Sequence, residues 1–237
     1  MGWLRSGAVR VHVAFTPAET VSADVGVVVD VLRATSTIAQ ALAGGYPRVL
    51  SCSEIDEAKA LAEAEGGLLA GERKCVRIPG FDRGNSPREF LDGGGETVIL
   101  TTTNGTRALV AAAASCRLVL AGSLINLEAV SQAARGAGGD VAIVCAGVLG
   151  ELALDDVYAA GRIAELLGGE LTDGAAAAIR IARSFPTTEE GLSSSQSARN
   201  LMAAGLDDDI AWCARESVLD VVPRVAGTRG TAVELVA

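Results

Sequence analysis

Short runs of β-branched and aliphatic residues alternate along most of the chain with longer segments of helical spacing that are rich in Ala and Leu. The runs typical of strands are residues 9–15, 25–30, 48–51, 68–70, 97–101, 118–121 and 141–145. The helical segments between them are residues 35–43, 55–65, 87–91, 106–114 and 127–135. Parallel strands need crossover connections, and the crossover helices cover both faces of the sheet. The alternation therefore predicts an α/β fold, a mostly parallel sheet between two helical layers.

The pattern changes after residue 150, where helical spacing becomes dominant. Candidate helices lie at residues 156–167, 174–184 and 195–204, and a weaker strand pair at residues 218–222 and 232–236. We predict one domain over residues 1–237 with a helix-rich C-terminal third. A subdivision near residues 148–155 is the alternative.

The composition limits the classes of partner. Apolar residues make up 49% of the 237 residues, which is enough for a large core, whereas aromatic residues make up 3% and the net charge is −9. Nucleic-acid-binding proteins use a basic surface, and those that bind single strands also use aromatic stacking platforms. We therefore expect no nucleic-acid partner.

Hydropathy and cysteine usage bear on where the protein works. No stretch has the length of apolar residues that spans a bilayer, and the first 15 residues lack the apolar block of a secretory signal. The five cysteines are odd in number and widely spaced, which favours reduced thiols over disulfides or a zinc site. We expect a cytoplasmic protein without a membrane partner, and leave a homo-oligomer open.

Polar clusters follow five of the predicted strands at their carboxyl ends. They are Asp30 with Arg33, residues 71–73, residues 102–107, Ser123 with Asn126, and residues 146–147. In an open parallel sheet, ligands bind at this edge. Five segments are therefore expected to converge on one crevice, although any single cluster could be a helix cap.

Residues 101–107 form the sharpest of these signals, since three threonines and an Asn-Gly turn lead from a strand into an Ala-rich helix. This arrangement points backbone N–H groups and a helix N-terminus at the crevice, which is typical of an anion site. A cap by Thr103 or Asn104 would explain one polar residue only. Arg107 is expected to contact the ligand, and a surface ion pair is the alternative.

Several carboxylates could ligate a hard cation. Asp30, Glu72 and the pair Asp155–Asp156 offer oxygen ligands without histidine, which suits Mg²⁺ better than zinc. A cap or a salt bridge explains any one of them equally well. Arg33, Arg73 and Arg107 are candidates to clamp a polyanion.

The sequence lacks the motifs of several enzyme classes. The sequence has no cysteine followed six positions later by arginine, no Gly-x-Ser-x-Gly elbow and no phosphate-loop Gly-Lys-Ser/Thr, and His12 is its one histidine. Residues 27–35 match half of an aspartyl-phosphatase strand end, because Leu32 stands where the second aspartate belongs. These classes are therefore not favoured.

Six motifs occur in the order found in a known family. They are VDVLRATSTI from residue 29, GER from 71, GFDRGNSP from 80, TTTNGT from 101, GSLIN from 122 and CAG from 145. Together they resemble the 2-phosphosulfolactate phosphatases, as do Asp155–Asp156 and Asp209. The chain departs from the family pattern at Lys74–Cys75, where relatives more often have glycine, and at Asp155, where Glu is common.

The resemblance implies a Mg²⁺-dependent hydrolase that converts 2-phospho-3-sulfolactate into 3-sulfolactate and phosphate, a step towards coenzyme M. The implied catalytic residues are Asp30, as metal ligand or nucleophile, and Arg33, with Glu72 and Asp156 as further metal ligands. The implied substrate-binding residues are Arg73, Asn85, Ser86, Thr102, Thr103, Asn104, Gly105, Thr106, Arg107 and Asn126.

Two alternatives stay open at this point. A phosphatase for another small phosphorylated hydroxy acid would keep the phosphate loop and the carboxylates but change the arginines. A non-catalytic anion-binding protein would keep the loop and need no metal. An aspartyl-phosphate intermediate and direct attack by water are both compatible with the sequence.

Overall fold

A computed structural model describes residues 9–19 and 22–237. Its strands are β1 (Arg10–Ala14), β2 (Ala23–Val29), β3 (Val49–Cys52), β4 (Leu68–Arg73), β5 (Val76–Arg77), β6 (Val98–Thr101), β7 (Cys116–Gly122), β8 (Val141–Cys145), β9 (Glu170–Leu171), β10 (Arg224–Arg229) and β11 (Ala232–Val236). Its helices are α1 (Ala34–Ala43), α2 (Ile55–Glu65), α3 (Gly105–Ser115), α4 (Leu127–Ala137), α5 (Leu154–Leu167), α6 (Asp173–Arg183), α7 (Thr188–Ser193), α8 (Gln196–Ala203) and α9 (Asp207–Cys213). A short 3₁₀ helix covers Pro87–Phe90.

The described strands form one sheet in the order β5-β4-β6-β3-β11-β10-β7-β2-β8-β1-β9. Two parallel groups, β4-β6-β3 and β7-β2-β8-β1, flank the antiparallel hairpin of β10 and β11. The mostly parallel α/β sheet is therefore confirmed. The hairpin joins the groups, because β11 pairs with β3 while β10 pairs with β7.

Helices cover both faces of the sheet, as the alternation of side chains along β2 illustrates. Val25, Val27 and Val29 belong to a core with α4, α5 and α6. Val28, which points the other way, belongs to a core with α1 and α3. A third, smaller core packs α2 against β3 and β6. Both faces are buried, which is why these strands read as continuous apolar runs.

The prediction of a strand at residues 218–222 is wrong. The hairpin is formed by β10 and β11 instead, with Gly230 at its turn in a left-handed conformation (φ +62°). The chain enters β10 only after Pro223, whose missing N–H cannot contribute to a sheet ladder. Most of β10 is exposed, so it lacks the apolar alternation that marks a strand in sequence.

The other predicted elements are confirmed with small shifts at their ends, except that residues 87–91 form the 3₁₀ helix instead of an α-helix. Besides β10, four elements were not predicted. They are β5, β9, α7 and α9, none longer than seven residues and therefore too short for a clear period. The C-terminal third is helix-rich, as expected.

None of the helices in the described part of the chain has both the length and the apolar character needed to cross a membrane. The division of the chain into one domain, or into two near residues 148–155, stays a prediction.

Candidate functional site

A cavity of about 420 Å³ lies at the carboxyl edge of the sheet. It is lined by the segments that follow β2, β4, β6 and β8, together with residues of α8. Seven of the residues predicted to form the site lie in its wall: Asp30, Arg33, Glu72, Asn85, Thr102, Thr103 and Asn104. Distant segments therefore bring half of the predicted site residues to one cavity.

Asp30 lies at the end of β2, between the N-termini of two helices. Its Oδ1 accepts a hydrogen bond of 3.1 Å from the backbone N–H of Ala34, at the start of α1. Its pKa is raised from 3.8 to about 6, chiefly by burial and further by the negative charge of Glu72, against the opposing effects of the Ala34 and Gly105 N–H groups and Arg33. Two helix N-termini thus hold a buried carboxylate that is costly to ionise.

Gly105 lets the N-terminus of α3 approach this carboxylate. A Cβ atom at this position would lie 2.7 Å from Asp30 Oδ2 and 2.6 Å from the Cβ of Ala34. Both distances are shorter than van der Waals contact, so the close packing of α1, α3 and Asp30 requires glycine here. Asp30 itself therefore uses part of the helix N-terminus that the sequence offers to an anion.

Glu72 is the second carboxylate of the cavity. Its Oε2 accepts a hydrogen bond of 2.7 Å from the backbone N–H of Cys75, and its Oε1 accepts one of 3.3 Å from Thr103 Oγ1. Lys74 and Cys75 turn the chain between β4 and β5 with left-handed φ angles of 56° and 65°. The turn and the loop after β6 therefore fix Glu72 on the cavity wall.

Two buried oxygens in the cavity wall have no hydrogen-bond partner among the described residues, Asn85 Oδ1 and Thr102 Oγ1. Buried polar atoms are rarely left without a partner, because the loss of hydration is costly. Neither Asn85 nor Thr102 is more than 4% exposed. Their position in the cavity wall indicates that a ligand, a cation or water supplies the missing partner of each oxygen.

Arg33 is the buried cation of the site. Its Nη1 donates to Asp209 Oδ2 at 2.6 Å, and its Nη2 donates to the carbonyl of Cys75 at 3.4 Å. The side chains of Arg33 and Asp209 are 4% and 1% exposed, so the ion pair is shielded from water. The guanidinium is thus anchored from the side of α9 while it lines the cavity.

The side chain of Asn104, in the loop after β6, does not act as a helix cap. Asn104 is the N-cap residue of α3, yet its side chain makes no capping bond. Its Oδ1 instead accepts a hydrogen bond of 3.3 Å from the backbone N–H of Leu149, which also lines the cavity. The loop is therefore tied to the segment after β8.

Arg73 and Asn126 lie away from the cavity. Arg73 follows Glu72 on β4 and so points to the other face of the sheet, where its Nη2 donates to the carbonyl of Ser53 at 2.7 Å. Asn126 is fully buried, and its amide nitrogen donates to the carbonyls of Ala121 and Val221. Their substrate-binding roles stay predictions, without support from this geometry.

Three further predicted residues also lie outside the cavity lining. Ser86 donates its hydroxyl to Asp209 Oδ1 at 2.6 Å, and the Thr106 hydroxyl bonds to Ser51 Oγ at 2.8 Å inside the core. Arg107 is exposed on α3. Contact of these three side chains with a ligand stays a prediction.

Asp156 is buried behind the cavity. Its Oδ1 accepts from the backbone N–H of Val31 at 2.9 Å and its Oδ2 from that of Gly147 at 3.0 Å. Burial, and the negative charges of Asp155 and Asp30, raise its pKa well above the usual value. In residues 9–19 and 22–237, no group of three His, Cys, Asp or Glu side chains is arranged to hold a metal ion. Asp30, Glu72 and Asp156 are thus not brought together as one metal site.

The structure adds residues that were not predicted to form the site. Lys74 lies in the cavity wall, and so do Leu149 from the segment after β8 and Ser197 and Asn200 from α8. Helix α8 was predicted as a helix, but nothing local in its sequence indicates which part of the sheet it reaches. The position of Lys74 could have been predicted, since it directly follows the GER motif.

We expect replacement of Asp155 by Asn to stabilise the protein at pH 8. Burial, and the charge of Asp30, raise the pKa of Asp155 from 3.8 to about 7, although Ser197 Oγ donates to its Oδ1 at 3.0 Å. The pKa of Asp155 is higher in the folded protein than in the unfolded chain. Its contribution to folding stability is therefore complete below the unfolded pKa and is lost as the pH rises through about 7. Asn keeps an acceptor for Ser197 and carries no charge.

Thermal unfolding measured between about pH 5 and 8, on both sides of the pKa of Asp155, tests this prediction. The Tm advantage of Asp155→Asn over the unaltered protein should be largest at pH 8 and shrink towards pH 5. Asp56→Asn, which removes an exposed carboxylate from α2, is the control and should show no such gain. A Tm difference independent of pH would contradict the assignment.

Comparison with known proteins adds to this geometry. The family model of 2-phosphosulpholactate phosphatase matches residues 12–228. A probable 2-phosphosulfolactate phosphatase of Thermus thermophilus is 41% identical over 231 residues, which cover 94% of this chain and 97% of the relative. Proteins of the same name from Carboxydothermus hydrogenoformans (40% over 221 residues, 90% and 92%) and Deinococcus radiodurans (42% over 208 residues, 84% and 87%) are similar. The chain therefore belongs to the 2-phosphosulfolactate phosphatase family.

Proposed function

We propose that this protein hydrolyses the phosphate ester of 2-phospho-3-sulfolactate to give 3-sulfolactate and phosphate. The observation that carries the proposal is the cavity in which Asp30, Arg33 and the unpartnered oxygens of Asn85 and Thr102 meet, in a chain of this family. Phosphoryl transfer depends on positioning and on neutralising charge. Buried groups that are already fixed by the fold suit both tasks.

The charge balance of the cavity supports a divalent cation as cofactor. The substrate carries phosphate, carboxylate and sulfonate, whereas the charged residues of the described cavity wall are Asp30, Glu72, Arg33 and Lys74. Since Asp209 already neutralises Arg33, the site by itself would repel such an anion. We therefore propose Mg²⁺, which binds through one or two carboxylates, water and substrate phosphate.

The donor atoms fit that ion. Asp30 and Glu72 would hold it, with Asn85 Oδ1 and Thr102 Oγ1 as neutral oxygen ligands, and all four are hard oxygens. A bound Mg²⁺ would offset the negative charge on the substrate's phosphate oxygens. Asp156 is not part of this proposal, because backbone N–H groups already bind both of its oxygens.

The chain's own residues have separate tasks in this proposal. Arg33 orients the anionic substrate with the N–H donors that Asp209 and Cys75 leave free. Thr102 can donate its unpartnered hydroxyl to a substrate oxygen. Asp30 acts as metal ligand or as nucleophile towards phosphorus, and a trapped phosphoenzyme would distinguish the two.

Lys74 is proposed to bind the end of the substrate that carries no phosphate. It is exposed at the cavity wall, and Arg33 is the other cation lining the described part of the cavity. Lys74→Met should raise KM about 3- to 10-fold with little change in kcat, because a charge-assisted contact to a half-solvated anion is lost. Steady-state kinetics measure this split.

Lys59 is the matched control for this prediction. It is the other of the two lysines in the sequence and lies exposed on α2, outside the cavity lining. Lys59→Met should leave KM unchanged. Equal KM values for the two variants would remove Lys74 from substrate binding.

Phosphate release from 2-phospho-3-sulfolactate tests the proposed function. Turnover should require Mg²⁺ and cease with EDTA. Binding of the substrate without phosphate release would favour the non-catalytic anion-binding alternative. Rescue of the EDTA-treated protein by Zn²⁺ but not by Mg²⁺ would contradict the hard-oxygen ligand set.

Location and assembly are also proposals. All five cysteines are free in the structure, which accords with a reducing compartment, and we propose the cytoplasm. A homo-oligomer is proposed as well, and size-exclusion chromatography with light scattering would test it.

A further inference from the structure

One carboxylate outside the cavity lining bonds to two segments that build the cavity. Asp209 Oδ2 accepts from Arg33 Nη1 and Asp209 Oδ1 accepts from Ser86 Oγ, both at 2.6 Å. Arg33 belongs to the segment after β2, and Ser86 precedes the 3₁₀ helix and directly follows the cavity residue Asn85. Both oxygens of Asp209 are therefore engaged in orienting neighbours of the cavity.

The burial of this carboxylate favours a defined role. Asp209 is 1% exposed, and a charge out of water is costly unless it is paired and hydrogen-bonded. By contrast, the adjacent Asp208 pairs with Arg88 on the surface, where their side chains are 76% and 44% exposed. The Asp208–Arg88 pair joins α9 to the 3₁₀ helix, as the Asp209–Ser86 hydrogen bond also does, so the surface pair already provides a contact between these two elements.

We propose that Asp209 is a positioning residue, which holds the Arg33 guanidinium in the orientation that binds the phosphate group and fixes Asn85 through Ser86. This inference rests on the proposed function. Arginine has a long, flexible side chain, and its planar guanidinium group binds an anion well only when it is pre-oriented. Cys75 O gives Arg33 one further, longer bond of 3.4 Å, so Asp209 supplies the main anchor.

Asp209→Asn and its neighbour Asp208→Asn form the first test. Asp209→Asn should raise the Kd of inorganic phosphate, measured by calorimetry with Mg²⁺ present, and should lower kcat/KM about 10- to 100-fold, with KM changing more than kcat. Asp208→Asn should change neither value. Matching values for the two variants would overturn the proposal.

Three further variants distinguish positioning from a merely structural effect. In Arg33→Ala, added guanidinium ion should restore part of the turnover when Asp209 is present and none of it in Arg33→Ala with Asp209→Asn. Rescue that is the same, or absent, with and without Asp209 would overturn the proposal. If Asp209→Asn fails to fold, Ser86→Ala keeps the ion pair and should still raise the phosphate Kd, and an unchanged Kd would count against the proposal.

The outcomes separate this proposal from the proposed function. Wild-type protein whose phosphate binding depends on Arg33 and Asp209, but which releases no phosphate from the sulfonated substrate, would refute the function alone. Turnover by the wild type that is untouched in Asp209→Asn would refute the positioning role alone.

Discussion

Asp30→Asn should lower kcat by a factor on the order of 100 or more while the protein stays folded. The replacement is nearly isosteric, and the amide oxygen can still accept the hydrogen bond from Ala34 N–H. What it removes is the negative charge that Asp30 contributes as metal ligand or nucleophile. Because burial raises the pKa of Asp30 to about 6, loss of this charge should also leave the Tm unchanged or higher.

Phosphate release at saturating Mg²⁺, together with thermal unfolding, measures both halves of this expectation. Asp56→Asn, on the exposed face of α2, serves as the control and should retain full turnover. Near-normal kcat in Asp30→Asn would remove Asp30 from the mechanism. A kcat that falls together with the Tm would indicate a structural role instead.

Gly105→Ala should reduce both activity and stability. The added methyl group would meet Asp30 Oδ2 at 2.7 Å and the Cβ of Ala34 at 2.6 Å, so α3 or the carboxylate must move. We expect a loss of about 1–3 kcal/mol in the free energy of unfolding, as for other overpacked positions. Displacement of the reacting carboxylate should lower kcat on the order of 100-fold.

Gly136→Ala is the control for this effect, since Gly136 lies in helix α4 and a Cβ there meets nothing within 4 Å. That variant should be fully active and about 0.5–1 kcal/mol more stable, because alanine favours the helix. Denaturant unfolding and steady-state kinetics on both variants make the comparison. Equal stability of Gly105→Ala and the unaltered protein would contradict the packing account.

The sheet and the edge that carries the site could be predicted because both depend on local patterns. A strand buried on both faces, such as β2, reads as a continuous apolar run that ends at Asp30. Parallel strands joined by helices then place their carboxyl ends on one side. The same reasoning brought Glu72 and Thr102 to one cavity, whereas Asn85 was predicted only from the family resemblance.

Directions of side chains were harder to predict. The strand predicted at residues 68–70 extends to Arg73 in the structure, and consecutive residues on a strand point to opposite faces. Glu72 therefore lines the cavity while Arg73 bonds to the Ser53 carbonyl. Had the strand been extended over the GER motif, the alternation would have separated the two.

Long-range pairings were beyond the sequence. Arg33 and Asp209 are 176 positions apart, and no local pattern indicates that α9 packs beside Arg33. The same holds for the hairpin of β10 and β11, which enters the sheet between β3 and β7 from the C-terminal end of the chain. Such contacts depend on tertiary packing, and the local pattern of a single sequence does not predict them.

The most direct test of the central claim compares kcat/KM for 2-phospho-3-sulfolactate with that for 2-phospholactate, which has the same carbon skeleton without the sulfonate. Both are assayed by phosphate release at the same Mg²⁺ concentration. A site built for a sulfonated phosphate ester should prefer the first substrate by at least about 100-fold, because the groups that bind the sulfonate would be left unpaired with the second. Equal values, or a preference for 2-phospholactate, would contradict the proposed function.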